Sequence, residues 1–223
     1  MNLWNPITRR QVHKSIAELG PWYQNISLGA GIFTRPINRE TIGQWYNCER
    51  GFRKMDRFIK PMLPFPLYGR SVLEIGTNAS QNLLWCWKNG ARACVGVESD
   101  PRYLDQSWFI RETMTKILKR DIPITTYSGK AEDLRPIRYY GRRYDIGMIL
   151  SVIYHIPEQY RVDVLENAIR LCKCVILQGN GLEDTGNGRG YDSLMKIIDA
   201  ADATVYSIKR EKHVRGLVIM VGK

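Results

Sequence analysis

From Arg70 onward, short apolar runs alternate with stretches of helical spacing, and this alternation restricts the fold more than any other feature. Five runs each have the length of one buried strand, and helical patterns such as PRYLDQSWFIRETMTKILKR separate most of them. Strands joined through helices predict βαβ units, and hence a largely parallel sheet with helices on both faces. The five predicted strands are SVLEIG, ACVGVE, ITTYSG, YDIGMILSVI and KCVILQG.

The chain ends differently, with the runs ATVYSIKR and GLVIMVG, which only EKHVR connects. Because this connection is too short for a crossover helix, the two runs predict an antiparallel hairpin at one edge of the sheet. Residues 70–223 therefore predict an α/β, Rossmann-like domain with a mainly parallel seven-stranded sheet and a C-terminal antiparallel hairpin.

Residues 1–69 lack this rhythm and predict a small N-terminal extension, helical and irregular, that serves as a substrate or lid region. RRQVHKSIAELG is typical of a short amphipathic helix ended by Gly20, and PWYQNISLGAGIFT of loops with a short strand or hairpin. RETIGQWYNCERGFRKMDRFIKPML has helical spacing, and PFPLYG then breaks the chain. Four aromatic residues of the extension could form a lid or a base-stacking platform, or simply pack the extension onto the sheet: Trp22, Tyr23, Trp45 and Tyr46.

Composition excludes several classes of protein. No apolar run is long enough to cross a bilayer and the N-terminus lacks a secretory pattern, so we expect a cytoplasmic protein that does not enter a membrane. The five cysteines are odd in number and form no CxxC pair, which predicts buried thiols rather than disulfides or a metal site.

The chain is strongly basic, with 33 Lys and Arg against 22 Asp and Glu and a net charge of +11. The excess is concentrated in residues 1–69, where ten Lys and Arg face four Asp and Glu. A basic surface attracts polyanions such as RNA, or phosphorylated substrates, although general solubility explains the charge equally well.

The first strand and its following loop, EIGTNAS, predict a ligand site at the carboxyl end of the sheet. Gly76 allows a sharp turn and close approach of a ligand, and Asn78 tolerates a left-handed backbone. Glu98 ends the second strand and could accept hydrogen bonds from both ribose hydroxyls. Glu74 would repel a phosphate but could hold an ammonium group, or pair with a lysine. A nucleoside with an amino-acid tail fits these residues, and S-adenosylmethionine is such a molecule.

The order of these motifs resembles that of the class I S-adenosylmethionine-dependent methyltransferases over residues 70–223. VLEIGTNAS resembles their first motif, with Asn78 and Ser80 in place of later glycines, and GVESDP resembles the segment with the ribose-binding acid. SGKAEDL and YDIGMILSVIYHI resemble the third and fourth motifs. The resemblance implies S-adenosylmethionine as cofactor, bound by Glu74, Gly76, Thr77, Asn78, Glu98, Ser99, Ala131, Glu132 and Ser151.

Two stretches resemble more narrowly the tRNA wobble-uridine carboxymethyltransferase group: KMDR at 54–57 and VIYH at 152–155. This resemblance implies that Lys54 and Tyr154 line the transfer site. Met55 and Ile156 depart from the group's pattern, which favours ordinary methyl transfer over carboxymethyl transfer.

His155 follows the fourth strand, where it could act as a base for a hydroxyl nucleophile or orient the next helix. We therefore expect a methyltransferase acting on RNA, with tRNA as the first candidate. An O-methyltransferase of a sugar or small metabolite is the alternative enzyme. An inactive methyltransferase fold that binds nucleic acid or another subunit is the non-enzymatic alternative.

Overall fold

A computed structural model describes residues 8–35, 52–134, 137, 143–179, 190–211 and 216–223. The helices are α1 Arg9–Glu18, α2 Gln81–Lys88, α3 Pro101–Leu118, α4 Glu158–Leu171 and α5 Tyr191–Ala200. The strands are β1 Ser27–Gly29, β2 Ile32–Phe33, β3 Ser71–Ile75, β4 Ala93–Glu98, β5 Ile124–Ser128, β6 Tyr144–Leu150, β7 Cys172–Gly179, β8 Thr204–Glu211 and β9 Gly216–Gly222.

The seven strands from β3 onward form one sheet in the order β5-β4-β3-β6-β7-β9-β8. Strands β3 to β7 pair in parallel, whereas β9 pairs antiparallel with both β7 and β8. The predicted parallel sheet and closing hairpin are thus confirmed. The chain moves outward to β4 on one side of β3 and later to β6 on the other, which makes the carboxyl end of β3 the switch point where α/β folds bind ligands.

Side chains of strands β3, β4, β6, β7 and β9 alternate between two apolar cores, one on each face of the sheet. Val72 belongs to the core that α2, α3 and the N-terminal extension cover, and Leu73 to the core that α4 and α5 cover. Glu74 is two residues after Val72 and therefore lies on the extension side of the sheet, which brings it near side chains of residues 52–62.

The extension shares a core with the sheet domain. Trp22 is buried, its ring centroid lies 6.1 Å from that of Phe109 in α3, and its indole nitrogen donates to the carbonyl of Ile16. The Nε2 of Gln106 donates to two carbonyl oxygens of the extension, those of Leu19 and Pro21. The β1–β2 pair confirms the predicted hairpin, and α1 confirms the predicted helix. Tyr23 is exposed, and Trp45 and Tyr46 lie outside the described residues.

Two predicted elements differ from the structure. The helical pattern that ends at Leu63 is α-helical over residues 52–54, as predicted, but continues as a π-helix, Met55–Ile59, and a 3-10 turn, Lys60–Met62. Its part before residue 52 lies outside the described residues. Pro61 accounts for the irregular end, since it lacks an N–H and its ring blocks α-helical bonding. The fourth strand ends at Leu150 rather than continuing through VI, because Ser151 adopts a φ of 61° and turns the chain away.

Asp145 anchors the amino ends of β3 and β6. Its Oδ2 accepts from the backbone N and the hydroxyl of Ser71, at 2.9 and 3.1 Å, and its Oδ1 accepts from Lys173 Nζ at 2.7 Å. Burial raises the pKa of Asp145, but the bonds from Lys173 and Ser71 outweigh it and lower the pKa to about 2. Asp145 is therefore a structural carboxylate at the edge of the sheet opposite the switch point.

Within the described ranges, none of the helices has both the length and the apolar character needed to span a bilayer. Four cysteines there, Cys86, Cys94, Cys172 and Cys174, are buried thiols as predicted.

Candidate cofactor and active site

The loop after β3 turns sharply against the end of β4. The backbone N–H groups of Gly76 and Thr77 both donate to the carbonyl of Val97, at 2.9 and 3.1 Å. Gly76 has a φ of 72°, and a Cβ built there would lie 2.5 Å from a methyl carbon of Val152. Both observations require glycine, because the backbone is left-handed and there is no space for a side chain.

Every second residue of this loop, from 76 to 80, has a left-handed backbone. Besides Gly76, Asn78 has a φ of 53° and Ser80 a φ of 64°. These are the positions of the three glycines in the Gly-x-Gly-x-Gly pattern that the sequence keeps only in part. The loop therefore has the backbone shape of a glycine-rich loop, although only Gly76 is a glycine.

The carboxylate of Glu98 lies against this loop. Its Oε2 accepts from the backbone N–H of Asn78 at 2.7 Å, and its Oε1 accepts from those of Ser99 and Asp100, both at 2.9 Å. A carboxylate has about four acceptor positions, so these three bonds leave about one, on Oε2. Glu98 can thus accept one further hydroxyl, whereas its sequence position alone suggested two.

Glu74 lies beneath the loop and is only 1% exposed. Its Oε2 accepts from the Thr77 hydroxyl at 2.8 Å, and its Oε1 accepts from Asn82 Nδ2 at 2.7 Å. Burial raises the pKa of Glu74 to about 7, against the opposing effects of these two bonds and of the positive charge of Lys54. Glu74 therefore joins the loop to α2 and titrates near neutral pH.

Lys54 is brought to the same place from the extension. Its charge acts on Glu74, and the segment that carries it is fixed to α2 because Trp85 Nε1 donates to Asp56 Oδ1 at 3.1 Å. The positive charge of Lys54, in one sequence motif, thus acts on the carboxyl of Glu74, in another.

The N-terminus of α2 is capped by the extension. The backbone N–H of Gln81 donates to Gln24 Oε1 at 3.4 Å, and Gln81 Nε2 donates to the carbonyl of Asn25 at 3.1 Å. Phosphate groups often bind at a free helix N-terminus after a glycine loop. Here Gln24 occupies that position, which agrees with a cofactor that lacks a pyrophosphate.

The other residues predicted to bind the cofactor lie at the carboxyl ends of β5 and β6. The N–H of Gly129 donates to the carbonyl of Glu98 at 3.0 Å, so the segment with Ala131 and Glu132, both half-buried, starts beside the Glu98 backbone. Ser151, directly after β6, donates from its backbone N to the carbonyl of Gln178 at 3.0 Å. All the predicted cofactor residues therefore lie on β3 to β6 or on the segments that directly follow these strands.

Tyr154 and His155 follow in a 3-10 turn, Ile153–His155. Their ring centroids are 4.5 Å apart; Tyr154 is 8% exposed, whereas His155 is exposed. Of the two, the imidazole has the better access to a molecule arriving from solvent.

A cavity of about 630 Å³ lies in the extension and not at this loop. Its lining includes Trp22, Phe33, Thr34 and Arg35. The hydroxyl of Thr34 donates to the carbonyl of Gln24, and the side chain of Gln24 caps α2. The cavity therefore adjoins the segment of the extension that contacts the N-terminus of α2.

Sequence reasoning named Ser80 only as a departure from glycine, and it missed the residues that support the loop from below: Asn82, Ser107 and Thr126. Ser107 carried a signal, because it lies three residues from both Leu104 and Ile110 on the buried stripe of α3. A hydroxyl in an apolar stripe indicates a buried polar partner.

Comparison with protein-family models and with curated proteins finds no match. Solved structures do match. The N-terminal domain of EvdMO1 with SAH bound has a TM-score of 0.63 at 16% identity, covering 97% of this chain and 96% of that one. The chain covers only 46% of full-length EvdMO1.

Two other matches are described as methyltransferases. Magnesium protoporphyrin IX methyltransferase (ChlM) from Synechocystis PCC 6803, with bound SAM, has a TM-score of 0.56 at 11% identity and covers 99% of this chain and 86% of that one. The CcbJ methyltransferase from Streptomyces caelestis has a TM-score of 0.58 at 14% identity and covers 82% and 94%. These structures give no support to the narrower resemblance to the tRNA wobble-uridine group. At such identities they establish the fold: the chain has the Rossmann-like methyltransferase fold.

Proposed function

We propose that the chain is an S-adenosylmethionine-dependent methyltransferase whose cofactor binds over the carboxyl ends of β3 to β6. The observation that carries this proposal is the left-handed backbone at positions 76, 78 and 80, joined to Glu98 at the switch point of the sheet. The neighbours crystallised with SAM or SAH support it.

S-adenosylmethionine supplies an electrophilic methyl group on a sulfonium, so the protein's task is to position two reactants and exclude water. Gly76 gives the close approach, Glu98 accepts one ribose hydroxyl, and Gln24 fills the place where a dinucleotide would put its phosphates. Lys54 lies where it can neutralise a carboxylate, either that of Glu74 or one on the bound cofactor or acceptor.

For the acceptor we propose a hydroxyl of a small molecule, and His155 as the group that takes its proton. The exposed imidazole beside Tyr154 supports the second point, because an imidazole is a common general base near neutral pH. The first is supported by the EvdMO1 domain, which was also crystallised in the presence of SAH and D-fucose.

RNA is the second candidate acceptor, favoured by the net charge of +11. A transfer assay with S-adenosylmethionine labelled in the methyl group distinguishes the two. We expect label to enter a small-molecule extract, and His155→Asn to slow that transfer without changing the Kd for S-adenosylmethionine. Label in bulk tRNA would instead favour RNA, and no cofactor binding in a calorimetric titration would contradict both.

A further inference from the structure

Three buried hydroxyls meet behind the loop. The Oγ of Ser107 lies 2.5 Å from that of Ser80 and 2.6 Å from the Oγ1 of Thr126, and Ser80 and Thr126 are 3.3 Å apart. Each residue is at most 6% exposed. We refer to Ser80, Ser107 and Thr126 as the hydroxyl cluster.

The hydroxyl cluster joins three elements that are distant in the sequence. Ser80 precedes α2, Ser107 lies in the middle of α3, and Thr126 lies in the middle of β5. Burying a hydroxyl without a partner is costly, whereas these three satisfy one another inside an apolar region. A bonded set of this kind holds its elements in one arrangement.

Ser80 is the member that belongs to the loop. Its φ of 64° and ψ of 24° are left-handed, which is unfavourable for a residue with a Cβ. Glycine would adopt this conformation at less cost but has no hydroxyl. The bonds to Ser107 and Thr126 therefore explain how a serine is accommodated here.

The hydroxyl cluster also connects to the buried carboxyl. Thr77 Oγ1 lies 3.5 Å from Ser80 Oγ and donates to Glu74 Oε2 at 2.8 Å. Polar contacts thus run from β5 and α3, through the loop, to the end of β3.

We propose that Ser107 and Thr126 are positioning residues for the cofactor: they hold Ser80, and through it the loop, in the shape that binds S-adenosylmethionine. The cofactor part of this inference rests on the proposed function. The positioning part concerns the loop alone and can be measured without a ligand.

The test compares Ser107→Ala with Thr113→Val, a control that removes another buried hydroxyl from the same helix. We expect Ser107→Ala to raise the Kd for S-adenosylmethionine roughly threefold to tenfold, as for loss of about one hydrogen bond. Thr113→Val should leave the Kd unchanged even if it lowers the Tm of the protein as much as Ser107→Ala does. An equal Kd in wild type and Ser107→Ala, or an equal rise in the control, overturns the proposal.

Further variants at Thr126 and Ser80 separate positioning from general destabilisation. Thr126→Ser keeps the hydroxyl and should bind as wild type, whereas Thr126→Val should lose affinity. In a Ser80→Gly background, Ser107→Ala should raise the Kd little further, because the Ser80 hydroxyl through which Ser107 acts on the loop is already gone. Additive losses in that double variant would contradict a shared role.

Hydrogen exchange of the ligand-free protein distinguishes failure of this inference from failure of the proposed function. We expect the amides of residues 76–81 to exchange roughly threefold to tenfold faster in Ser107→Ala than in Thr113→Val. If the wild type binds no S-adenosylmethionine but this difference is present, the proposed cofactor is wrong and the positioning of the loop stands. Equal exchange in the two variants overturns the positioning role itself.

Discussion

Replacing Glu74 with glutamine should change how the stability of the protein depends on pH. The carboxyl is buried, and its oxygens accept from Thr77 and Asn82. Glutamine keeps the shape, and its amide can satisfy both neighbours if the amide of Asn82 is reversed. The substitution therefore removes the ionisation and little else.

The size of the effect follows from the pKa of Glu74, which burial raises from 4.5 to about 7. Between these values the unfolded chain is ionised while the folded protein keeps its proton, so the free energy of unfolding falls as pH rises. Each pKa unit corresponds to about 1.4 kcal/mol, so the loss between pH 4.5 and 8 is about 3 kcal/mol. Below pH 4.5 both states are protonated and the loss disappears.

Urea denaturation of wild type and Glu74→Gln from pH 4.5 to 8 measures this directly. The difference in free energy of unfolding, variant minus wild type, should increase by about 3 kcal/mol across the range. Glu112→Gln, which removes an exposed carboxylate instead of a buried one, serves as the control. If the free energy of unfolding varied with pH in the same way for Glu74→Gln and wild type, the raised pKa of the buried Glu74 carboxyl would be refuted.

Three other substitutions test neighbouring parts of the structure. Gly76→Ala should destabilise the protein by about 2–4 kcal/mol in urea denaturation, since a Cβ there clashes with Val152 in addition to the strain of a left-handed backbone. Gly69→Ala, which has a similar φ but open space around it, should cost less stability. Equal losses in the two variants would contradict the clash. Lys54→Met should move the midpoint of the Glu74-dependent loss to higher pH, because the lysine lowers that pKa; an unchanged midpoint would mean that the two charges do not interact. Asp145→Asn should lose less stability than wild type as the pH falls from 4 to 2, because the folded protein holds that carboxylate ionised. Unfolding monitored by circular dichroism measures this, and an equal loss of stability in the two proteins would contradict it.

The sheet could be predicted because its signal is local. Short apolar runs separated by helical spacing identified each strand from β3 to β9, and the five-residue connection before the last strand fixed the hairpin. The left-handed Asn78 was also predictable, since asparagine tolerates that conformation. Its observed φ of 53° confirms the prediction.

The support of the loop could not be predicted in the same way. Ser80 binds side chains that are 27 and 46 residues away, on different elements, so no local pattern connects them. The sequence suggested that Glu74 could pair with a lysine, but only the fold identifies Lys54 as the lysine whose charge acts on it. The acceptor capacity of Glu98 depends on three backbone N–H groups whose positions only the folded loop fixes.

Titration of the ¹⁵N-labelled protein with S-adenosylhomocysteine, followed by amide chemical shifts, tests the proposed cofactor site most directly. We predict saturable shifts that are largest for residues 76–80, 98–100 and 129–132, which meet at the carboxyl ends of β3, β4 and β5. No saturable shift, or shifts confined to the cavity lined by residues 13–35, would contradict a nucleoside bound at this edge of the sheet.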